Sequence, residues 1–385
     1  MSYDLNSITD DSILVFEYYT ASGLDELCIS SEAESLILAL VEDLKEEDVY
    51  LLLNEKYQYI AKDLDNTINI ILLNDDFDFE DFLLKDASKF NRTIFIASEE
   101  DDALYGITRF LEVSNIKIYN SNAHACEVCS DKFEMFHTLK SQITQPFTFK
   151  ITLDSDIYWK KPILFNLKAN NMKESDFEYG YSDELFDSLN IEKKYIAKPV
   201  NGVDCENIKI IKSKEDVDDL ENIFDDGSEI LIQEYIEGEV LSVSLISDGD
   251  NAIALSLNKQ FVNITDDFQQ YLGGQLPYRH PAKDMIFDKA VKAVKSIEGI
   301  KGFVGVDLIL VENDGDYEVY IIEINSRFTT PYVGLREVLN INIAKTILDL
   351  IDGKISIDDI DHLSFKNGVK FIKDNGVLKI ISTDN

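Results

Sequence analysis

The sequence predicts an α/β layer followed by α+β structure, and three observations carry that prediction. Over residues 1–120 short apolar strands alternate with helices, the pattern of a parallel sheet. Residues 303–324 form two β-rich runs around Asn313-Asp314-Gly315-Asp316, a strong hairpin signal, so antiparallel strands follow later in the chain. A second such pair flanks Asp374-Asn375-Gly376. A length of 385 residues suits two or three domains. The expected divisions are 1–120, 121–228 and 229–385. Within the second, residues 150–190 read either as an insertion or as variable surface.

Taken in order, residues 13–18 are a first strand. Residues 31–44 are a helix with Leu36, Ile37, Leu40, Val41 and Leu44 on one face. Strands follow at 49–53, 67–73, 93–97 and 116–119, and Ser98 reads as the cap of a helix over 99–113. Ser121 reads as the cap of a helix running to Lys140, with Asp131-Lys132 inside it. Residues 195–198 are a strand ending in a lysine. Residues 229–233 are another, and 240–246 alternate cleanly as a third. Asn258-Lys259-Gln260 follows a short strand, 271–280 reads as a loop, and 283–297 reads as a helix. Residues 338–351 are a helix ended near Gly353.

Composition narrows the function. The net charge of −37 is spread along the chain, which argues against nucleic acid as a partner, because phosphate binding needs a basic surface. No apolar run reaches the length of a membrane span. The polar opening MSYDLNSITDD and only four cysteines lead to the expectation of a reducing cytoplasm. Cys126 and Cys129 form a C-x-x-C with His124 and His137 nearby. Without a second cysteine pair they read as structural rather than as a zinc or redox site. The expected partners are small molecules, and a homo-oligomer remains open.

The chemistry concentrates in residues 302–336. If the hairpin folds about Gly315, Asp307 stands across from Glu323, and Asn325 shares the face of Glu323. Two carboxylates and an amide suit a hard divalent cation such as Mg²⁺ or Mn²⁺, usually shared with substrate phosphates. Arg327 follows at the same parity. Lys198 at a strand end, before Pro199 and Gly202, can aim a charge at phosphates while loop N–H groups cradle them. No G-x-G-x-x-G follows the first strand, so a dinucleotide site is not indicated. The segment from Phe16 to Gly23 stands instead where ligands of parallel sheets bind, and a capped turn is the plainer alternative.

Asp307 followed by Glu323-x-Asn325-x-Arg327 resembles the metal-binding end of the ATP-grasp superfamily. EINSRFTTPYVGLR and FEYYTASG resemble in particular the archaeal ligases of that superfamily that join tyramine to L-glutamate for methanofuran. The resemblance covers almost the whole chain. It implies an ATP-grasp fold behind a Rossmann-like N-terminal domain, with ATP and Mg²⁺ as cofactors. It assigns Asp307, Glu323 and Asn325 to the metal, Lys132, Lys198 and Gly202 to phosphates, and Gln233, Glu234 and Ile236 to adenine. Glu239 is implied for the ribose, although some relatives place that acid one residue later, at Val240 here. Glu17, Ser22, Gly23, Gln260, Gly273 and Arg279 are implied for substrates, with Gly274 and His280 beside them. Two departures are Asp204, where a second glycine is usual, and Ser326, where proline is common.

The implied reaction is ADP-forming amide synthesis through an acylphosphate. Arg327 would stabilise the developing oxyanion, and the product would be γ-glutamyltyramine. The alternatives are an ATP-grasp ligase for other amino acids or amines, of the kind used in pyrrolysine synthesis, and an ATP-binding protein without catalysis.

Overall fold

A computed structural model of the chain describes residues 7–24, 27–154, 158–162, 177–180, 185–186, 189–190, 192–201, 208–265, 268–374 and 377–383. The first layer is a parallel sheet of β1 (Ile13–Glu17), β2 (Val49–Asn54), β3 (Asn69–Leu73), β4 (Arg92–Ile96) and β5 (Lys117–Ile118), in the order β3-β2-β1-β4-β5. Its central strands β1, β2 and β4 are buried on both faces, as parallel strands covered by helices are. Ile13 and Val15 pack with Leu36 and Leu40 of α2 (Leu27–Asp43), whereas Leu14 and Phe16 join Phe79, Phe82 and Leu104 on the other side. The turn after β1 is not an open loop. It is the short helix α1 (Tyr18–Ser22), capped by the Glu17 carboxylate and ended by Gly23 at φ 73°.

Two further sheets complete the fold. The second holds β6 (Thr148–Asp154), β7 (Tyr158–Pro162), β8 (Phe177–Gly180), β9 (Tyr195–Pro199), β10 (Lys209–Ile211) and β11 (Glu229–Glu234), in the order β10-β9-β11-β6-β7-β8. The third holds β12 (Glu239–Asp248), β13 (Ala252–Thr265), β14 (Phe268–Leu276), β15 (Lys301–Asn313), β16 (Asp316–Asn325), β17 (Gly368–Asp374) and β18 (Val377–Thr383), in the order β16-β15-β12-β13-β14-β17-β18. Because β11 pairs with β6 and β9, sheet membership changes after Glu234, not before residue 229 as the last expected division has it. On β12 the alternation sorts the chemistry. Leu241, Val243 and Leu245 enter the core against Ala290 and Val294 of the helix Lys283–Lys295, and the serines between them face the other way.

Several local expectations change for identifiable reasons. The helix expected over 121–140 is two, Ala123–Ser130 and Lys132–Leu139. Asp131 ends the first by leaving helical geometry, and its carboxylate accepts from the backbone N–H groups of Phe133 and Glu134 to cap the second. Asn122, not Ser121, caps the first. The Ser98 hydroxyl has no hydrogen-bond partner and caps nothing. A 3₁₀ turn at Glu100–Asp102 precedes the helix Ala103–Val113. Residues 271–276 belong to β14, and 258–260 lie inside β13. The helix expected over 338–351 starts later, as Ile343–Ile351, and Val338 instead ends a separate preceding helix, Pro331–Val338. The expected turn at Asn375-Gly376 and much of the 150–190 segment fall outside the described residues.

The hairpin β15–β16 places Asp307 opposite Glu323 by a route the sequence does not display. Its turn has two residues, Asp314 and Gly315, both at positive φ (52° and 90°), and pairs Asn313 with Asp316. Counted straight back, that register would set Asp307 against Ile322. A β-bulge at Ile322 takes up one residue and brings Glu323 opposite Asp307.

Candidate active site

A cleft enclosing about 270 Å³ runs between the second and third sheets. Asp307 on β15 and Glu323 and Asn325 on β16 stand on its third-sheet side, with Gln260 of β13 beside them. Lys198 at the end of β9 and Gln233 and Glu234 at the end of β11 stand on its second-sheet side. Tyr235, Ile236 and Gly238, in the crossing between the sheets, also line it. Lys132 enters because the helix break at Asp131 makes it the first residue of the second helix.

The carboxylates are held by amides and faced by cations. The Gln260 Nε2 amide donates to Asp307 Oδ1 at 2.7 Å, and Asn325 Nδ2 donates to Asp307 Oδ2 at 2.9 Å. Burial, and then the neighbouring Glu323 charge, push Asp307 up to about 7 against the lowering pull of those amides and Arg327. Desolvation raises Glu323 too, although its side chain keeps 26% of its exposure, but the charges of Lys132 and Lys198 outweigh that effect and hold it below the ordinary glutamate value. Lys132 Nζ lies 3.1 Å from Glu323 Oε1. Lys198 donates to Gln233 Oε1 at 3.0 Å, and Gln233 Nε2 donates to the Thr148 hydroxyl at 2.8 Å, so both are fixed within the wall.

Among the described residues no three His, Cys, Asp or Glu side chains gather as a metal cluster. The donor set for a cation is instead Asp307, Glu323 and the Asn325 amide oxygen. That set fits a hard divalent ion, since it brings two adjacent carboxyls, whose mutual repulsion helps push Asp307 up, and an amide oxygen to one face. Cys126 and Cys129 are free, buried thiols, with burial raising both.

Arg327 lines the same cleft, and its Nε donates to Glu99 Oε2 at 2.6 Å while Nη1 donates to the Phe328 carbonyl at 3.2 Å. Glu99 follows β4 of the parallel sheet, so the first layer orients an arginine carried by the third. Sequence reasoning missed Glu99. The available signal was its position just past the carboxyl end of a parallel strand.

Other expected residues lie elsewhere. Glu239 starts β12 with its side chain on the face opposite the cleft. It accepts from Lys259 Nζ at 2.6 Å and from the Tyr278 hydroxyl at 2.7 Å, and the neighbouring Val240 lines the cleft in its place. Glu17, Ser22 and Gly23 do not line the cleft. Glu17 caps α1, the Ser22 hydroxyl is buried without a partner, and Gly23 packs on Asn54. Gly273 and Gly274 pair with β17, where a Cβ on Gly273 would meet the Phe371 carbonyl oxygen at 2.1 Å. Arg279 is exposed and outside the cleft wall, and His280 packs against Tyr317. Gly202 and Asp204 lie outside the described residues.

Comparison with known proteins agrees with this geometry. Residues 129–331 match the ATP-grasp domain model, a span that contains the break at Asp131 and every cleft residue named above, whereas Glu99, which holds Arg327, precedes it. The chain is 32% identical to tyramine–L-glutamate ligase of Methanocaldococcus fervens over 84% of this chain and 89% of that protein. It is 29% identical to the enzyme of the same name from Methanocaldococcus jannaschii, over 84% of each. Its fold is similar to the crystal structure of an ATP-grasp superfamily protein from Archaeoglobus fulgidus, with a TM-score of 0.64 at 23% identity, covering 97% and 99% of the two chains. Two sheets closing on a cleft of paired carboxylates and facing cations, with a matching domain across more than half of the length, make this chain a member of the ATP-grasp family and an ATP-dependent ligase.

Proposed function

We propose that the protein joins the γ-carboxylate of L-glutamate to the amine of tyramine, consuming ATP with Mg²⁺ and releasing ADP and phosphate. The facing of Asp307, Glu323 and Asn325 by Lys132, Lys198 and Arg327 carries the reaction class. The likeness to the two Methanocaldococcus ligases supports the substrates.

The chemistry follows from charge. A carboxylate is a poor electrophile, and its attack on a triphosphate is opposed by like charge. A divalent ion held by Asp307, Glu323 and Asn325 would supply charge neutralisation at the phosphate oxygens. Lys132 and Lys198 add fixed positive charge on the facing wall, in a partly enclosed cleft where such charges act more strongly than in water. The glutamate γ-carboxylate oxygen attacks the γ-phosphorus, the bond to ADP breaks, and an acylphosphate forms. Neutral tyramine attacks the acyl carbon, its proton is lost, and phosphate leaves with the bonding pair. Arg327, held by Glu99 and the Phe328 carbonyl, presents its guanidinium to the oxyanion formed in that step. Gln233, Glu234 and Ile236 border the base, with the backbone between the two sheets offering donors and acceptors. The free thiols support a reducing cytoplasm as the site of action.

The test is phosphate release from Mg²⁺ and ATP, with glutamate and tyramine added singly and together. Release that needs both, with a product of the dehydrated mass, is the expected result. Release with glutamate and another amine but not tyramine would replace the amine. No release from any mixture in the presence of bound ATP would remove the proposed substrates.

A further inference from the structure

Part of the cleft wall comes from elements that the reaction above leaves unused. Glu32 of α2 and Tyr271 of β14 both line the cleft, next to Thr330 and Pro331. Lys373 of β17 places its Nζ 2.6 Å from Glu32 Oε2 and 5.7 Å from the Tyr271 ring centroid. The other Glu32 oxygen accepts from the Thr330 hydroxyl, three residues beyond Arg327. Glu32, which lines the cleft, keeps 20% of its side-chain exposure, and its partner Lys373 keeps 15%. The pair draws one charge from the parallel layer and the other from β17, next to the edge strand of the third sheet, more than 340 residues apart in sequence.

We propose that Glu32 and Lys373 together read the α-amino-acid zwitterion of the carboxylate substrate. This deepens the function proposed above and rests on it for the identity of that substrate. An α-amino acid carries an ammonium and a carboxylate on one carbon. The complementary surface is an anion and a cation side by side, which Glu32 at the cleft wall and its ion-pair partner Lys373 supply. Glu32 takes the α-ammonium and Lys373 the α-carboxylate, leaving the side-chain carboxylate to point towards Arg327 and the phosphates. Tyramine has an ammonium but no carboxylate, so it cannot satisfy both. The Thr330 hydroxyl ties this recognition to the segment that carries Arg327.

The test compares L-glutamate with glutarate, which lacks the α-ammonium, in the full-length enzyme with Mg²⁺, ATP and tyramine. Losing a charge-assisted contact of this kind costs on the order of tenfold or more. Glu32→Gln should raise the KM for glutamate by about that factor while leaving kcat and the tyramine KM within a few-fold. Its preference for glutamate over glutarate should collapse. A second variant, Glu32→Lys with Lys373→Glu, restores an ion pair of reversed polarity. A purely structural tie would regain both thermal stability and substrate preference in this variant. A zwitterion reader would regain stability alone. Unchanged preference in Glu32→Gln, or restored preference in the reversed pair, overturns the proposal. If the wild type uses a different α-amino acid, the glutamate reading falls, and the same ratio measured with that acid and its des-amino analogue decides the pair's role. If the wild type uses only acids without an α-amino group, both fall.

Discussion

Glu99→Ala should impair turnover without touching the substrates. The carboxylate is 8% exposed and the Arg327 side chain 18%, with 2.6 Å between Nε and Oε2. An exposed pair would contribute at most about 1 kcal/mol. This one is mostly enclosed, and the charge-assisted hydrogen bond is of the order of 1.5–3 kcal/mol. If that energy orients the guanidinium for the oxyanion, its loss lowers kcat by about 10- to 100-fold, since about 1.4 kcal/mol is one decade. The KM for ATP should stay within a few-fold. Glu99→Gln keeps an acceptor and should cost less. The assay is steady-state phosphate release with both substrates, run as a double-mutant cycle with Arg327→Ala. Glu99→Ala should have little further effect once Arg327 is gone. A cycle in which the two losses simply add, or a Glu99→Ala enzyme with native kcat, would refute the view that Glu99 acts through Arg327.

Asn325→Ala and Glu323→Ala should each lower phosphate release by about 10²-fold or more while the circular dichroism spectrum and melting profile persist, and full activity with Mg²⁺ in either would remove the metal assignment. Gly273→Ala should destabilise the edge of the third sheet by roughly 1–3 kcal/mol, because φ is 127° and the added carbon meets the Phe371 carbonyl; faster proteolysis of the β17–β18 hairpin would report it. Burial raises Glu17 to about 7, against the lowering effect of its Thr20 and Tyr19 bonds. The native state therefore holds that proton more tightly than the unfolded one. The associated stability is complete below the ordinary glutamate pKa and is lost as pH rises through about 7, by on the order of 3 kcal/mol. Denaturant titrations between pH 4 and 8 should show that slope in the wild type and a smaller one in Glu17→Gln, where the raised Asp307 still contributes.

The sequence was most legible where local pattern and structure obey the same rule. The alternation in β12 predicts a strand with serines on one face, and the serines do face the cleft. The pairing of Asp307 with Glu323 was anticipated from a hairpin folded symmetrically about Gly315, and is produced by a two-residue turn plus a bulge whose residue, Ile322, carries no distinguishing chemistry. Asp131 was read as a helix-interior residue because its neighbours favour helix. Its own side chain, which prefers to cap, decides otherwise. Glu239 misled because an acid beside a glycine looks available until strand parity turns it to the opposite face. Glu99 and Glu32 were illegible for a different reason. Their partners Arg327, Thr330 and Lys373 stand 228, 298 and 341 positions away, and no local pattern encodes such a meeting.

The bulge at Ile322 also bears on how the hairpin tolerates changes in length. Between Asp316 and Glu323 the strand carries one residue more than its ladder with β15 uses. Removing Ile322 would let the ladder run straight from the turn and still deliver the glutamate opposite Asp307. Inserting a residue there would demand a second irregularity or drive the glutamate into the apolar layer of Val319 and Ile321. Spacing on this strand can therefore shorten by one without moving the carboxylate pair, but cannot easily lengthen. The surplus residue is a margin for register, kept in place by its second use as part of the cleft wall.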